Sequence, residues 1–191
     1  MTTTTIVIII VIVVLALGAA AAAAAMQRRK RSSELQDRFG SEYDRTVSEA
    51  ESRRQAEKEL QEREKRRGEF EVTPLPPSSA AAYREEWDDI QKRFVDDPPD
   101  AVQSADRLVV RMMRESGYPL DDFDKRVADI SVDHPDVAQH YREAHGVAVA
   151  QSQGRADTEQ LRRAVTSYRQ LVEALLRDSA SNNETRPRTT D

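Results

Sequence analysis

The chain has 191 residues, of which 38% are hydrophobic and 33% are charged, and its formal net charge is −5. This size fits one modest domain with appendages, and the small apolar share predicts a small core with long exposed helices. Cysteine is absent, which excludes disulfides, thiolate zinc sites and a cysteine nucleophile.

An uncharged apolar segment, residues 6–26, comes first in the chain after residues 1–5. As a helix it would rise about 30 Å, at about 1.5 Å per residue, which is enough to cross a bilayer. The positive-inside rule predicts a single-pass anchor in the cell membrane, with residues 1–5 outside and the C-terminal domain in the cytoplasm. The cations that set this orientation follow the apolar segment directly: Arg28, Arg29, Lys30 and Arg31.

The same four cations predict contact with the lipid bilayer surface, at about 1 kcal/mol each on anionic head groups. A cleaved export signal is the alternative, because the alanine tract resembles the small-residue site that precedes cleavage. The product would then be an exported helical binding module that begins near Met26. A signal peptide places its cations before the apolar core, so the sequence favours the anchor.

Residues 27–71 form a charged segment with 13 cations, 12 anions and no proline. Oppositely charged pairs four residues apart, such as Glu49 and Arg53, predict one long solvated stalk helix or a pair of helices. A coiled coil is the alternative, although no heptad seam is sustained over three repeats. A homo-oligomer through the anchor or the stalk stays open. The basic clusters are interleaved with glutamate and lack an aromatic platform, which argues against nucleic acid as a partner.

Three prolines within residues 72–79 predict an extended linker after the stalk. Residues 80–178 follow, with five amphipathic segments and no stretch that alternates like a β-strand. Residues 179–191 are predicted to be a disordered tail. The predicted fold class is therefore all-α, with a single transmembrane helix, a long charged helix and a small antiparallel helical bundle.

The ends of the bundle helices are marked by capping and stop residues. Asp97 precedes two prolines that the first helical turn tolerates, and Asp157 with Gln160 forms a capping box. Gly117 and Gly154 are the predicted stops. The bundle carries 14 cations and 20 anions, which disfavours nucleic acid and keeps the bundle off an anionic bilayer.

Several short strings of the sequence are distinctive: RFGSEYDR (38–45), FVDDP (94–98), MRESGYPLDDF (113–123), SVDHP (131–135) and YREAH (141–145). They resemble those of an uncharacterised family of bacterial proteins, many of which have a short N-terminal membrane segment. The resemblance covers most of the chain and implies the architecture above. It brings no activity, cofactor or catalytic residue.

The sequence of the bundle contains no recognisable catalytic motif. His140 and His145 are five residues apart, so they do not share a helical face as metal ligands would, and no phosphate loop or nucleophile elbow is present. We therefore predict no catalytic residue, no metal and no cofactor. Tyr118 and Phe123, near the turn at Gly117, are candidates for an exposed protein-binding patch, with packing between helices as the alternative. The predicted function is a membrane-anchored cytoplasmic interaction domain with a protein-binding or scaffolding role.

Overall fold

The structure, a computed structural model, describes the backbone of residues 3–185 and the side chains of residues 12–179. Within these ranges every regular element is an α-helix, which confirms the all-α prediction. The chain divides into two compact units, residues 1–38 and 39–191. The helices are α1 (Thr3–Phe39), α2 (Ser41–Glu49), α3 (Arg53–Arg67), α4 (Pro77–Arg93), α5 (Pro98–Glu115), α6 (Phe123–Asp133), α7 (Pro135–Ser152) and α8 (Thr158–Thr185).

Helix α1 runs through the predicted anchor and its cationic flank without a break. Its 37 residues give a rod of about 55 Å. Among the described residues it is the one helix long and apolar enough to cross a membrane, by length and composition. The helix ends before Gly40, whose φ of 48° lies in the left-handed region. The predicted short N-terminus starts outside the described residues, which begin at Thr3.

The charged segment differs from the predicted stalk. From Phe39 onward it belongs to the same compact unit as the bundle. It forms two helices, α2 and α3, which pack on each other, while α2 also packs on α7 and α3 on α6. Ala56 and Leu60 of α3 are fully buried. The prediction of a solvated stalk over this part was wrong because its charged side chains pair with groups of the bundle.

The predicted linker, residues 72–79, is part of the packed structure. Leu75 is buried in the core and Val72 packs against it. The Thr73 N–H donates to the Ser116 carbonyl oxygen at 2.9 Å, which ties the extended segment to the end of α5. Helix α4 begins at Pro77, inside the predicted linker, because proline needs no hydrogen-bond acceptor in a first turn.

The five predicted bundle helices are present as α4 to α8, and one hydrophobic core joins them. Each contributes the apolar face that its sequence spacing indicates. The largest fully buried side chains of this core are Ile90, Leu108, Met112, Met113, Ile130, Tyr141, Tyr168 and Leu171.

Local capping follows the sequence closely. Asp157 Oδ1 accepts from the Gln160 N–H at 2.8 Å, and Gln160 Oε1 accepts from the Asp157 N–H at 2.8 Å, so the capping box is confirmed. Asp97 Oδ1 accepts from the Asp100 N–H at 3.1 Å. Gly117 and Gly154 have φ of 94° and 67°, as expected of the stops after α5 and α7.

The first seven residues of the predicted disordered tail, 179–185, are helical. Ser179 is buried, and α8 continues to Thr185. Residues 186–191, which complete the predicted tail, lie outside the described residues. The apolar stripe of α8 explains why the helix runs past the end of the predicted bundle, since each further turn continues an element that is already packed.

Candidate functional site

The cationic flank predicted to contact lipid is exposed on α1. Four successive residues, each rotated by about 100°, surround the helix, so the cations form a ring rather than a stripe. Lys30 Nζ lies 3.8 Å from Glu34 Oε1. The apolar side chains that precede the ring are exposed as well, with Leu15 at 67% and Leu17 at 65%. This unit therefore presents a bare apolar rod followed by a cationic ring: Arg28, Arg29, Lys30 and Arg31.

Tyr118 is not part of an exposed patch, and it packs in the core, as the alternative prediction of packing between helices expects. It is 3% exposed, and its hydroxyl donates to Asp133 Oδ2 at 2.8 Å. Burial, reinforced by that carboxylate, raises the pKa of the Tyr118 phenol far above its usual value. Tyr118 is a core residue that closes the turn after α5.

Phe123 is half-buried and lies in an aromatic cluster. Its ring stacks on the imidazole of His145, with ring centres 3.9 Å apart, and meets the Tyr141 ring edge-on at 5.1 Å. The alternative of packing between helices therefore holds for both candidate patch residues. The two rings do not form a joint recognition surface.

Asp106 holds a half-buried polar network beside this aromatic cluster. Its Oδ1 accepts from the Tyr168 hydroxyl at 2.7 Å and lies 3.0 Å from His145 Nδ1. Burial alone would raise the pKa of Asp106, but the hydrogen bonds from His145 and Tyr168 outweigh it and lower the pKa. The contact between His145 and Asp106 has no signal in the sequence, because periodicity does not reveal a partner 39 residues away.

Glu42 is the centre of the most concentrated charge cluster in the described structure. Its side chain is 1% exposed and contacts the guanidinium groups of Arg45, Arg63 and Arg142. Arg45 Nη2 and Arg63 Nη1 each donate to Glu42 Oε1 at 2.7 Å, and Arg142 Nη1 donates to Oε2 at 2.8 Å. Burial would raise the pKa of Glu42, but the three arginines overcome it and lower the pKa to about 2.

A second row of ion pairs joins α3 to α6. Arg66 Nε donates to Asp129 Oδ1 at 2.8 Å, and Arg66 Nη2 donates to Asp121 Oδ2 at 2.6 Å. Arg67 Nε donates to Asp133 Oδ2 at 2.5 Å. Burial raises the pKa of Asp129, and Arg66 offsets this only in part. These contacts dock α3 on the bundle and leave no free carboxylate for acid–base chemistry at Asp129.

A surface groove of about 590 Å³ lies between α4 and α8. Its apolar lining is Trp87, Val172 and Leu176. Trp87 and Leu176 are only 6% and 8% exposed, so they form a floor rather than a protruding patch. The groove was not predicted, because the residues that α4 and α8 contribute to it are at least 78 residues apart in the sequence. Its polar lining comprises Arg84, Asp88, Gln91, Arg169, Glu173 and Arg177.

The described residues contain no group of three or more His, Asp or Glu side chains placed to hold a metal ion. The comparisons with known proteins supply no further guide to the site. No family model matches the chain, and no curated protein or solved structure matches it either. The candidate sites are therefore the apolar rod with its cationic ring, which can engage a membrane, and the groove, which can accept another molecule.

Proposed function

We propose that this protein is a single-pass membrane protein whose helical bundle acts as a cytoplasmic interaction domain. Its role would be to bind or scaffold a protein partner at the membrane, without catalysis. The observation that carries the proposal is the order along α1, an exposed apolar stretch followed by the ring of cations at residues 28–31. The positive-inside rule then gives an outer N-terminus and an inner bundle.

The non-catalytic role is supported by the state of the buried charges. Glu42 and Asp129 are committed to arginines, and Asp106 accepts hydrogen bonds from a phenol and an imidazole. A general base needs a free lone pair and access to substrate. The side chains of Glu42 and Asp129 are each only 1% exposed and lack that access. Asp106 joins α5 to α7 and α8 through His145 and Tyr168, so the role of these carboxylates is to hold helices together.

A topology measurement tests the proposal. A reporter that is active only in the cytoplasm, fused after Asp191, should be active, and a reporter active only outside should not. N-terminal sequencing of the mature protein should find the uncleaved chain. A mature N-terminus near Met26 would instead support the exported helical binding module, for which the alanine tract is the supporting observation.

A further inference from the structure

The groove between α4 and α8 has the floor of a peptide-binding site. Trp87, Val172 and Leu176 bring an indole and two branched side chains to one concave surface. Aromatic and aliphatic groups in a depression are typical anchor points in protein interfaces, since they bury area with little further loss of side-chain freedom.

Arginines dominate the rim of this groove. Arg84 is exposed and makes no ion pair with the side chains that the structure describes. Arg169 Nη2 donates to Gln91 Oε1 at 2.9 Å, which leaves other N–H groups of the same guanidinium for a ligand. The rim also carries two carboxylates. One of them, Asp88, accepts a hydrogen bond from Gln91 Nε2 at 3.4 Å.

The net charge of the groove lining is opposite in sign to the net charge of the domain around it. Residues 80–178 carry 14 cations and 20 anions, whereas the groove is lined by three arginines and two carboxylates. The negative net charge of the domain favours solubility. A local positive patch beside an apolar floor favours binding of a negatively charged partner. The domain as a whole would repel an acidic partner, whereas the arginines of this surface would attract it.

We propose that the groove binds an acidic amphipathic peptide segment of a protein partner. Apolar side chains of the segment would lie against Trp87 and Leu176, and its carboxylates would pair with Arg84 and Arg169. Arginine suits this role, because its guanidinium can bind a carboxylate through two parallel hydrogen bonds. This inference rests on the proposed interaction role and names the chemistry of the partner.

Two synthetic peptides test the inference on the full chain in micelles of a zwitterionic detergent, which add no tryptophan to the sample. Both are amphipathic helices of about 14 residues with the same leucines, and they differ in carrying glutamates or lysines on the flanks. Trp87 is the only tryptophan of the chain, so its fluorescence reports binding at the groove directly. We expect the glutamate peptide to bind at least about tenfold more tightly than the lysine peptide.

The net charge of the protein makes this comparison stringent. Because the chain carries −5, nonspecific attraction would favour the lysine peptide, and the expected preference is the reverse. Failure of both peptides to change the fluorescence, equal binding, or tighter binding of the lysine peptide would each overturn the inference.

Charge-reversal variants locate the effect. Arg84→Glu combined with Arg169→Glu should abolish the preference for the glutamate peptide. The matched control combines Arg114→Glu with Arg163→Glu, two exposed arginines outside the groove lining, and should leave the preference unchanged. An equal loss in both variants would show that the peptide responds to overall charge. The peptide measurement uses purified protein, so its result does not depend on the membrane topology. A bundle located outside the cell would overturn the proposed cytoplasmic location and would leave the inference about the groove standing.

Discussion

Glu42 shows how one buried side chain can hold three helices. It lies on α2, and its arginine partners come from α2, α3 and α7. A buried carboxylate is costly by itself, and removal of one partner from a buried pair leaves the others uncompensated. The cluster therefore specifies how α2 and α3 dock, whatever its net contribution to stability.

Replacement of this carboxylate gives the first stability prediction. Glu42→Gln keeps the shape but removes the buried anion that three arginines share, and we expect it to lower the free energy of unfolding by about 3 kcal/mol. The measurement is urea unfolding of the full chain in mild detergent, followed by Trp87 fluorescence. Glu62→Gln is the control, because Glu62 is exposed in a pair with Lys58, and it should change stability by less than about 0.5 kcal/mol. Equal losses of stability in the two variants would contradict the role of Glu42 as the buried partner of three arginines.

The pH dependence follows from the same site. The pKa of Glu42 is about 2 in the folded protein against 4.5 for a free side chain. Because the folded pKa is depressed, the stability that Glu42 contributes is present above about pH 4.5 and is lost as the pH falls towards 2. The difference between the wild type and Glu42→Gln should be constant from neutral pH to about pH 5 and narrow below that.

At the scale of elements, α2 and α3 dock mainly through complementary charge. Arg66 and Arg67 meet carboxylates of α6 or its approach, and Arg63 also donates to Ser131 Oγ at 3.3 Å. The apolar residues that α3 buries, Ala56 and Leu60, lie outside the main core cluster. These helices therefore depend more on charge pairing than α4 to α8 do.

The turn between α5 and α6 depends on a glycine for two reasons. Gly117 has a φ of 94°, and a Cβ there would lie 2.3 Å from the Glu71 carbonyl oxygen. Gly117→Ala should therefore lower the free energy of unfolding by more than about 1 kcal/mol through backbone strain, with the clash adding to it. Urea unfolding followed by Trp87 fluorescence measures the change.

A second glycine provides the control with the opposite sign. Gly146 lies inside α7, and a Cβ there meets nothing within 4 Å. Gly146→Ala should raise stability by about 0.5–1 kcal/mol, because alanine loses less backbone entropy in a helix. Stabilisation by both substitutions would contradict the turn geometry at Gly117.

At the scale of the whole molecule, the proposed location depends on the asymmetry of α1. Apolar insertion favours the bilayer in either direction, and only the cations distinguish the two orientations. The helix continues for 13 residues past Met26 to Phe39, a rise of about 20 Å, so the cations sit on a rigid extension of the apolar rod.

Removal of these charges should randomise the orientation. When Arg28, Arg29, Lys30 and Arg31 are all replaced by alanine, we expect a substantial fraction of chains to place the C-terminus outside. Paired C-terminal reporters, one active inside and one outside, measure that fraction. Replacement of four exposed cations of α3 and α4, which are Arg53, Lys58, Lys92 and Arg93, serves as the control and should leave the orientation unchanged. An unchanged orientation in the first variant would contradict the role of the cationic ring.

Much of the architecture could be predicted because it depends on short-range patterns. The apolar rod, the faces of α4 to α8, the capping box at Asp157 and the stops at Gly117 and Gly154 are each encoded within a few turns of helix. The spacing around Glu42 also indicates that this side chain is buried. Glu42 stands three residues after Phe39 and four before Thr46, and both of these residues are buried.

The sequence by itself determined that the chain is helical, that one segment can cross a membrane and where the bundle helices lie. Only the tertiary structure decided that the charged segment after Phe39 folds onto the bundle, that Tyr118 is buried and that a groove forms beside Trp87. The physical reason is distance along the chain: Arg142 reaches Glu42 across 100 residues, and Arg169 meets Gln91 across 78. A charged side chain looks solvated in the sequence until the fold supplies its partner.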